Sequence, residues 1–275
     1  MSGAKVFVAE FIGTFALVFI GAAAGIYGQS LGLLGIALAH GLTLAVFVYV
    51  YGNISGTHIN PAVTFGLALN GTVKWSRAVI YWIAQFSGAA LAAYILHTLV
   101  VLLSESAFAG AANSGLLTDT TKYPFYYAMG VEALLTFFLV NSVLHTAVGE
   151  NPSVFAGLAI GLTLTIAILA GGPLTGASLN PARTLGPAFF TSALTAGTPD
   201  FKNSMLYMIY FVGPMIGSLA AVLLYQFFKY EPIMIDEMED EIEVMEIVEE
   251  VVVEEPVKKP ARKPAASKPR KATMK

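Results

Sequence analysis

The chain has 275 residues, of which 56% are hydrophobic and only 12% are charged, about half the charged share usual in soluble domains. It has no cysteine, which excludes a disulfide framework and metal sites with thiolate ligands. The net charge of −3 averages two unlike regions: residues 1–229 carry 6 acidic and 7 basic side chains, and residues 230–275 carry 12 and 8. We therefore expect an apolar membrane body with a charged tail, and no nucleic-acid partner.

Six apolar stretches are long enough to cross a lipid bilayer as helices, which takes about 20 residues for ~30 Å of hydrocarbon. They cover approximately residues 5–27, 33–52, 76–103, 123–148, 153–171 and 205–228. Six spans return the chain to its starting side, so both termini share one face. The loops on that face carry a modest excess of Lys and Arg, which predicts cytoplasmic termini. We expect a multi-pass protein of the plasma membrane.

Two shorter apolar segments, at about 60–70 and 180–190, each begin with the same tripeptide. The copies are Asn60-Pro61-Ala62 and Asn180-Pro181-Ala182. Asn is a favoured N-cap and Pro is favoured at the first helical position, so a single copy would indicate only a helix start. Segments this short indicate re-entrant half-helices, which are tolerated where protein surrounds them or where they line a watery cavity.

The two halves of the body align as a repeat. The motif "GLTL" occurs at 41–44 and at 161–164, each time 19 residues before the asparagine of the tripeptide. Each half, about 4–104 and about 122–229, holds three spans and one half-helix. Because three is odd, the second half enters the membrane from the opposite face. We therefore predict an all-α membrane protein with six transmembrane helices and two re-entrant half-helices in an inverted 3+3 repeat.

Two half-helices whose N-termini meet near mid-membrane would place two positive dipole ends at one point, which repels cations and hydronium. The segments before them, 53–59 and 173–179, are predicted to be extended, with carbonyl groups that accept hydrogen bonds along a path. The asparagine amides can donate hydrogen bonds to a passing molecule. This arrangement suits a small neutral solute. The candidate pore-lining residues in these segments are Gly56, Thr57, His58, Gly176 and Ser178.

Glu10 and Glu132 lie inside apolar spans, 50 and 48 residues before the two asparagines. A carboxylate is too costly to leave unpaired in hydrocarbon. We predict that both accept hydrogen bonds from backbone N–H groups of the irregular segments. Catalysis is the alternative, but no nucleophile or metal cluster accompanies them, so we expect no enzyme activity, metal or cofactor.

The sequence resembles the aquaporin, or major intrinsic protein, family over about residues 4–229. The resemblance rests on "AEF" in the first span, "SGTHINPAVT" (55–64), "TGASLNPART" (175–184) and "GP" at 213–214. It implies a homotetramer in the lipid bilayer, with one pore in each subunit for water or other small neutral solutes.

The same resemblance implies a selectivity filter at four positions, which are His40, Ile168, Ala177 and Arg183. Orthodox water channels usually pair an aromatic ring with a histidine at the first two positions, and the isoleucine here implies a wider, less polar aperture. The set looks like plant vacuolar-type members, which are associated with ammonia, urea or peroxide as well as water. It is unlike the Trp/Gly/Phe/Arg set of glycerol facilitators. A pore histidine can change its charge between pH 5 and 8, which makes acid-sensitive permeability through His40 a hypothesis.

These features predict a passive channel that conducts water and small neutral solutes such as ammonia, hydrogen peroxide or urea, and excludes protons and ions. A secondary transporter is the alternative, since inverted repeats also build transporters.

In the tail, residues 231–255 are expected to be a solvated acidic segment or a short coiled coil. Residues 256–275 are expected to be disordered.

Overall fold

The computed structural model describes residues 2–27, 31–102, 116–119, 121–149, 151–195 and 204–230. In this part of the chain the α-helices are α1 (Gly3–Tyr27), α2 (Gly32–Ser55), α3 (Pro61–Leu69), α4 (Trp75–Leu102), α5 (Phe125–Ala147), α6 (Ala156–Thr175), α7 (Pro181–Thr195), α8 (Ser204–Tyr207) and α9 (Gly213–Lys229). A 3₁₀ turn covers Leu116–Thr118, and a π-helical turn at Met208–Val212 joins α8 to α9. Residues 1–229 form one compact unit. The tail predictions lie outside the described residues.

Six helical segments are long and apolar enough to span a membrane, as predicted: α1, α2, α4, α5, α6 and the segment that runs from α8 through α9. Helices α3 and α7 are the two half-helices. Both begin at the proline of the repeated tripeptide. The all-helical membrane architecture expected from the sequence is therefore confirmed.

The predicted starts of the two extended segments, 53 and 173, are wrong. Helix α2 continues to Ser55 and α6 to Thr175. Each helix ends at a glycine in the left-handed conformation, Gly56 or Gly176, whose N–H bonds to the carbonyl four residues earlier. Pro173 removes one backbone donor in the last turn of α6 without ending the helix.

The helices of the two repeats pack in matching ways. Helix α1 lies against α4 as α5 lies against α9, while α7 contacts α4 and α3 contacts α9. The pair α1 and α4 and the pair α5 and α9 each come into close contact at a glycine. A Cβ atom at Gly88 would lie 2.3 Å from the carbonyl oxygen of Phe11, and one at Gly217 would lie 2.0 Å from that of Ala133. Small residues let membrane helices pack this closely, so glycine is required at both crossings.

Helices α2 and α6 cross at Gly41 and Gly161, the first residues of the two "GLTL" motifs. A Cβ at Gly41 would lie 2.5 Å from the Gly161 carbonyl oxygen, and a Cβ at Gly161 would lie 2.4 Å from the Gly41 carbonyl oxygen. The reciprocal contact brings together the two helices that precede the half-helices.

Candidate functional site

The segments that lead into the half-helices share one unusual backbone. In the first, Gly56, Thr57 and Ile59 have φ of 86°, 50° and 39°. In the second, 120 residues later, Gly176, Ala177 and Leu179 have φ of 80°, 44° and 54°. Positive φ is uncommon for residues other than glycine and costly for a β-branched one such as Ile59. Such a backbone persists only where surrounding groups hold it in place.

Glu10 holds the first segment. Its carboxylate is fully buried and accepts hydrogen bonds from the backbone N–H groups of His58 (2.9 Å) and Ile59 (2.6 Å). It also accepts from the Ser55 hydroxyl at 2.6 Å and from Gln85 Nε2 at 2.9 Å. These four donors come from three separate parts of the chain, so one carboxylate ties α1 to α2, the irregular segment and α4.

Glu132 occupies the matching place in the second repeat, and it is also fully buried. It accepts from the N–H groups of Ser178 (3.0 Å) and Leu179 (2.8 Å) and from the Thr175 hydroxyl (2.7 Å). Tyr81 and Tyr210 are equivalent residues 129 positions apart, and the same spacing makes Pro214 the counterpart of Gln85. Proline has no side-chain donor. The second carboxylate therefore has three donors where the first has four.

The two asparagines cap the half-helices and also connect them. Asn60 Oδ1 accepts from the N–H of Ala62 at 2.9 Å, and Asn180 Oδ1 accepts from those of Ala182 (3.0 Å) and Arg183 (3.2 Å). The amide nitrogens cross over: Asn60 Nδ2 donates to the Leu179 carbonyl at 2.8 Å. Asn180 Nδ2 donates to the Ile59 carbonyl at 2.9 Å. The N-termini of α3 and α7 thus meet at one point.

Each asparagine Nδ2 carries two protons, and the crossed contact uses one of them. The second proton can be offered to a molecule in the cavity, because both asparagines line it. Pro61 and Pro181 occupy the first helical position of the half-helices. They have no N–H group, so neither adds an unpaired donor there.

A narrow cavity of about 40 Å³ lies next to the point where the two asparagines meet, and both asparagines line it. An ordered water needs about 10–15 Å³ of such space, so the cavity holds only a few water molecules. The part of its lining called here the polar wall consists of the irregular-segment residues Gly56, Thr57, His58, Ile59 and Ser178 and of Asn60, Asn180, His40 and Arg183. Its apolar wall consists of Leu17, Leu44, Val48, Val63, Leu139, Val143, Ala147, Ile160 and Leu164.

His40 and Arg183 meet in this cavity and are here called the filter pair. Arg183 Nε donates to His40 Nε2 at 3.2 Å, and the His40 Nδ1 lies 2.9 Å from the Ile36 carbonyl oxygen. A carbonyl can only accept, so Nδ1 carries the proton and Nε2 is the acceptor. Both side chains are buried. The arrangement gives a neutral imidazole next to a guanidinium cation.

The other two positions of the predicted filter are placed differently. Ile168 and Ala177 are buried, at 3% and 1% exposure, but they are not part of the cavity wall described above. Gly176 is partly buried and is also not part of this wall, whereas Gly56, Thr57, His58 and Ser178 do line the cavity. The structure thus brings together two of the four filter residues.

His58 and Ser178 occupy equivalent positions ahead of the two half-helices. The His58 Nδ1 lies 3.1 Å from the Thr64 hydroxyl, and its ring stacks on Tyr81 with centroids 4.3 Å apart. Ser178 contacts Thr184 through their hydroxyl oxygens. In both repeats a hydroxyl four residues into the half-helix sequence therefore holds the polar side chain of the irregular segment.

Several residues that support the site were not predicted from the sequence. Tyr81 and Tyr210 donate to the carbonyls of Ser55 and Thr175, the last residues of α2 and α6. The repeat carries the missing signal, because the two tyrosines lie 129 residues apart and the two hydroxyl residues 120. Leu17 and Leu139 of the apolar wall are likewise 122 apart, as are Glu10 and Glu132. Among the described residues, no group of three His, Asp or Glu side chains could hold a metal ion.

Comparison with known proteins gives a consistent result. Residues 1–225 match the family model for the major intrinsic protein. The chain is 39% identical to Aquaporin AqpM of Methanothermobacter marburgensis over 249 residues, covering 82% of this chain and 97% of that protein. It is 37% identical to Aquaporin TIP2-1 of Arabidopsis thaliana over 237 residues, covering 82% and 87%. It is 37% identical to Aquaporin NIP2-3 of Zea mays, covering 83% and 71%.

Among solved structures, the aquaglyceroporin from Plasmodium falciparum superposes with a TM-score of 0.70 at 26% identity. The match covers 82% of this chain and 96% of that one.

Proposed function

Because the chain belongs to the major intrinsic protein family, whose aquaporins are passive channels and not enzymes, we propose that its pore conducts water as the main solute. Ammonia, hydrogen peroxide and urea are proposed as further solutes, and protons and ions as excluded. Family membership also decides against the secondary transporter considered from the sequence. The chain is an integral, multi-pass membrane channel for small solutes, and its solute preference is the part proposed here.

The observation that carries this proposal is the filter pair in a cavity whose lining combines polar and apolar residues. Carbonyls of the irregular segments and the asparagine amides replace some of the hydrogen bonds that a neutral solute loses when it leaves bulk water. The apolar wall replaces none, so a hydrated ion would lose most of its shell. The Arg183 guanidinium and the two helix N-termini add positive potential that opposes cations.

The roles proposed for the individual residues follow from these contacts. Asn60 and Asn180 donate to the solute at the junction of the half-helices, with Pro61, Ala62, Pro181 and Ala182 forming the first turns. Glu10 and Glu132 hold the irregular segments, of which Gly56 to Ile59 and Ser178 line the cavity. His40 and Arg183 are proposed as the selectivity filter from their place in the cavity, and Ile168 and Ala177 are proposed as its other two positions from the family resemblance alone.

The solute preference can be tested by stopped-flow light scattering on proteoliposomes, with water, ammonia, urea and glycerol compared in one preparation. We expect non-saturating water flux with a low activation energy and little glycerol flux. Glycerol flux equal to or above water flux relative to empty liposomes would contradict water as the main solute. Saturable flux that depends on an ion gradient would contradict the channel mechanism.

We further propose a homotetramer in the plasma membrane, with residues 1–229 as the channel domain and 230–275 as a cytoplasmic tail. Large apolar side chains cover the outer faces of α1, α2 and α6 and leave them free to meet lipid or another subunit: Val8, Ile12, Val46, Val50, Leu158, Leu162 and Ile166. Chemical cross-linking in native membranes should give species up to four chains. Recovery of monomers alone would contradict the tetramer.

Orientation can be read from single cysteines, because the natural chain has none. A cysteine at Ser2 should react with a membrane-impermeant maleimide only after the cells are opened. A cysteine at Thr121, in the loop between α4 and α5, should react in intact cells. The reverse pattern would place the termini outside.

A further inference from the structure

The imidazole ring of His40 lies directly against the backbone of α1 at Gly21. A Cβ atom at residue 21 would lie 2.3 Å from His40 Nε2, 2.5 Å from Cδ2 and 2.6 Å from Cε1. Non-bonded carbon atoms prefer separations of about 3.5–4.0 Å. The ring therefore occupies space that the side chain of any other residue at position 21 would fill.

The ring cannot move without changing the filter pair, because both its nitrogens are engaged. Nδ1 bonds to the Ile36 carbonyl and Nε2 accepts from Arg183. Of the three ring atoms closest to Gly21, Nε2 is the nearest, and it is also the acceptor for the guanidinium. A displacement away from α1 therefore acts first on the contact with Arg183.

The face of α1 that carries Gly21 also faces the cavity. Leu17 lies four residues before Gly21, on the same helix face, and lines the cavity. The ring of His40 also lines the cavity, so it lies between α1 and the lumen. A group that pushes the ring away from α1 pushes it into the solute path.

The second repeat shows that glycine is not a requirement of the scaffold at this place. Position 143, which lies 122 residues after Gly21, holds a valine that lines the cavity. The counterpart of His40, 120 residues later, is Ile160, also in the cavity wall. A side chain is thus accommodated where no ring lies opposite, and glycine is found where the imidazole needs the room.

We propose that Gly21 is a positioning residue of the selectivity filter: it seats the His40 ring against α1, which keeps Nε2 on Arg183 and the lumen beside the ring open. This inference rests on the proposed filter role of His40 and Arg183. It assigns part of the solute selectivity to a residue of α1 that has no side chain of its own in the pore.

The test uses the full-length chain in proteoliposomes and compares Gly21→Ala, His40→Ala, the double variant and wild type. Water permeability per reconstituted channel should fall about tenfold in Gly21→Ala, because overpacking displaces the ring into the path. In the His40→Ala background the same methyl should have no effect, since the ring that it meets is gone. Gly130→Ala is the matched control, because no atom lies within 4 Å of a Cβ at that helical glycine.

Wild-type permeability in Gly21→Ala would overturn the inference, and so would an equal loss with and without the His40 ring. If Gly21→Ala does not insert into membranes, the double variant remains decisive: removal of the ring should restore insertion and flux, and failure to do so would overturn the inference. The filter proposal is judged separately. It fails if His40→Ala leaves the ratio of urea to water permeability unchanged, whatever the result at Gly21.

Discussion

Equivalent positions in the two repeats line one cavity, but they do so with different chemistry. His40 of the first repeat corresponds to Ile160 of the second, and Arg183 of the second corresponds to Val63 of the first; all four lie in the cavity wall. The backbone is nearly the same in both irregular segments, with positive φ at matching residues. The repeat therefore determines where side chains stand, and the differences at these positions put an imidazole and a guanidinium where the equivalent positions hold isoleucine and valine.

The largest expected effect concerns the carboxylates that hold the two irregular segments. Glu10→Ala would leave four buried donors without their acceptor, and Glu132→Ala would leave three. At about 1–3 kcal/mol for each unsatisfied group, either loss is a large part of the stability of a typical protein. We expect neither variant to accumulate as a folded channel, with Glu10→Ala the worse of the two.

The measurement is the monodisperse fraction in detergent and its thermal unfolding midpoint. Glu10→Gln and Glu132→Gln keep the shape and one acceptor oxygen, but their NH₂ group cannot accept, so we expect midpoints between those of the alanine variants and wild type. Equal midpoints for Glu10→Ala and wild type would contradict the holding role of the carboxylate.

Arg183→Val gives the second half-helix the residue that the first has at the equivalent position, Val63. At about 4 Å and an effective dielectric constant of 20, a unit charge repels a passing cation by about 4 kcal/mol, so cation or proton leak should rise by at least about tenfold. Urea permeability should rise as well, since the guanidinium narrows the path at His40. A pH-sensitive dye trapped in proteoliposomes measures the proton leak. A leak equal to that of wild type would place the ion barrier wholly at the helix N-termini.

The two asparagine caps differ in the number of backbone N–H groups that they accept. Asn180 Oδ1 accepts two backbone N–H groups and Asn60 Oδ1 accepts one, whereas each amide nitrogen makes one crossed hydrogen bond. Loss of an N-cap costs about 1 kcal/mol, so both alanine variants should fold. Asn180→Ala should have the lower unfolding midpoint in detergent. The opposite order would show that the extra contact to the Arg183 N–H adds no stability.

The smallest expected effect is on the pH response of water flux. The sequence raised the hypothesis that acid acts through His40, but its Nε2 can take up a proton only by giving up the hydrogen bond from Arg183 and facing a cation. We therefore expect water permeability to stay nearly constant from pH 8 to pH 5 in proteoliposomes. A change that persists in His40→Ala would come from another group. A change that disappears there would restore the original hypothesis.

Much of the architecture could be predicted because its causes are local. A helix that crosses hydrocarbon must be about 20 apolar residues long, so the spans can be counted along the chain. The tripeptides and the "GLTL" motifs recur at one spacing, which is enough to pair the repeats. The extended segments were predicted to start at 53 and 173, three residues too early, because each helix continues to its glycine cap at Gly56 or Gly176.

The sequence by itself determined the membrane class, the repeat, the half-helices and the presence of an arginine in the second half-helix, since each depends on residue type and spacing. Only the tertiary structure decided which groups meet. The left-handed residues 59 and 179 donate their N–H groups to carboxylates 49 and 47 residues away. Residues 57 and 177 donate to the hydroxyls of Ser55 and Thr175, which donate to the same two carboxylates. The crossed asparagines join segments about 120 residues apart, and His40 meets Arg183 across 143 residues. The fit of the His40 ring on Gly21 has the same origin: the space beside a glycine depends on its neighbours in three dimensions, and sequence spacing does not record it.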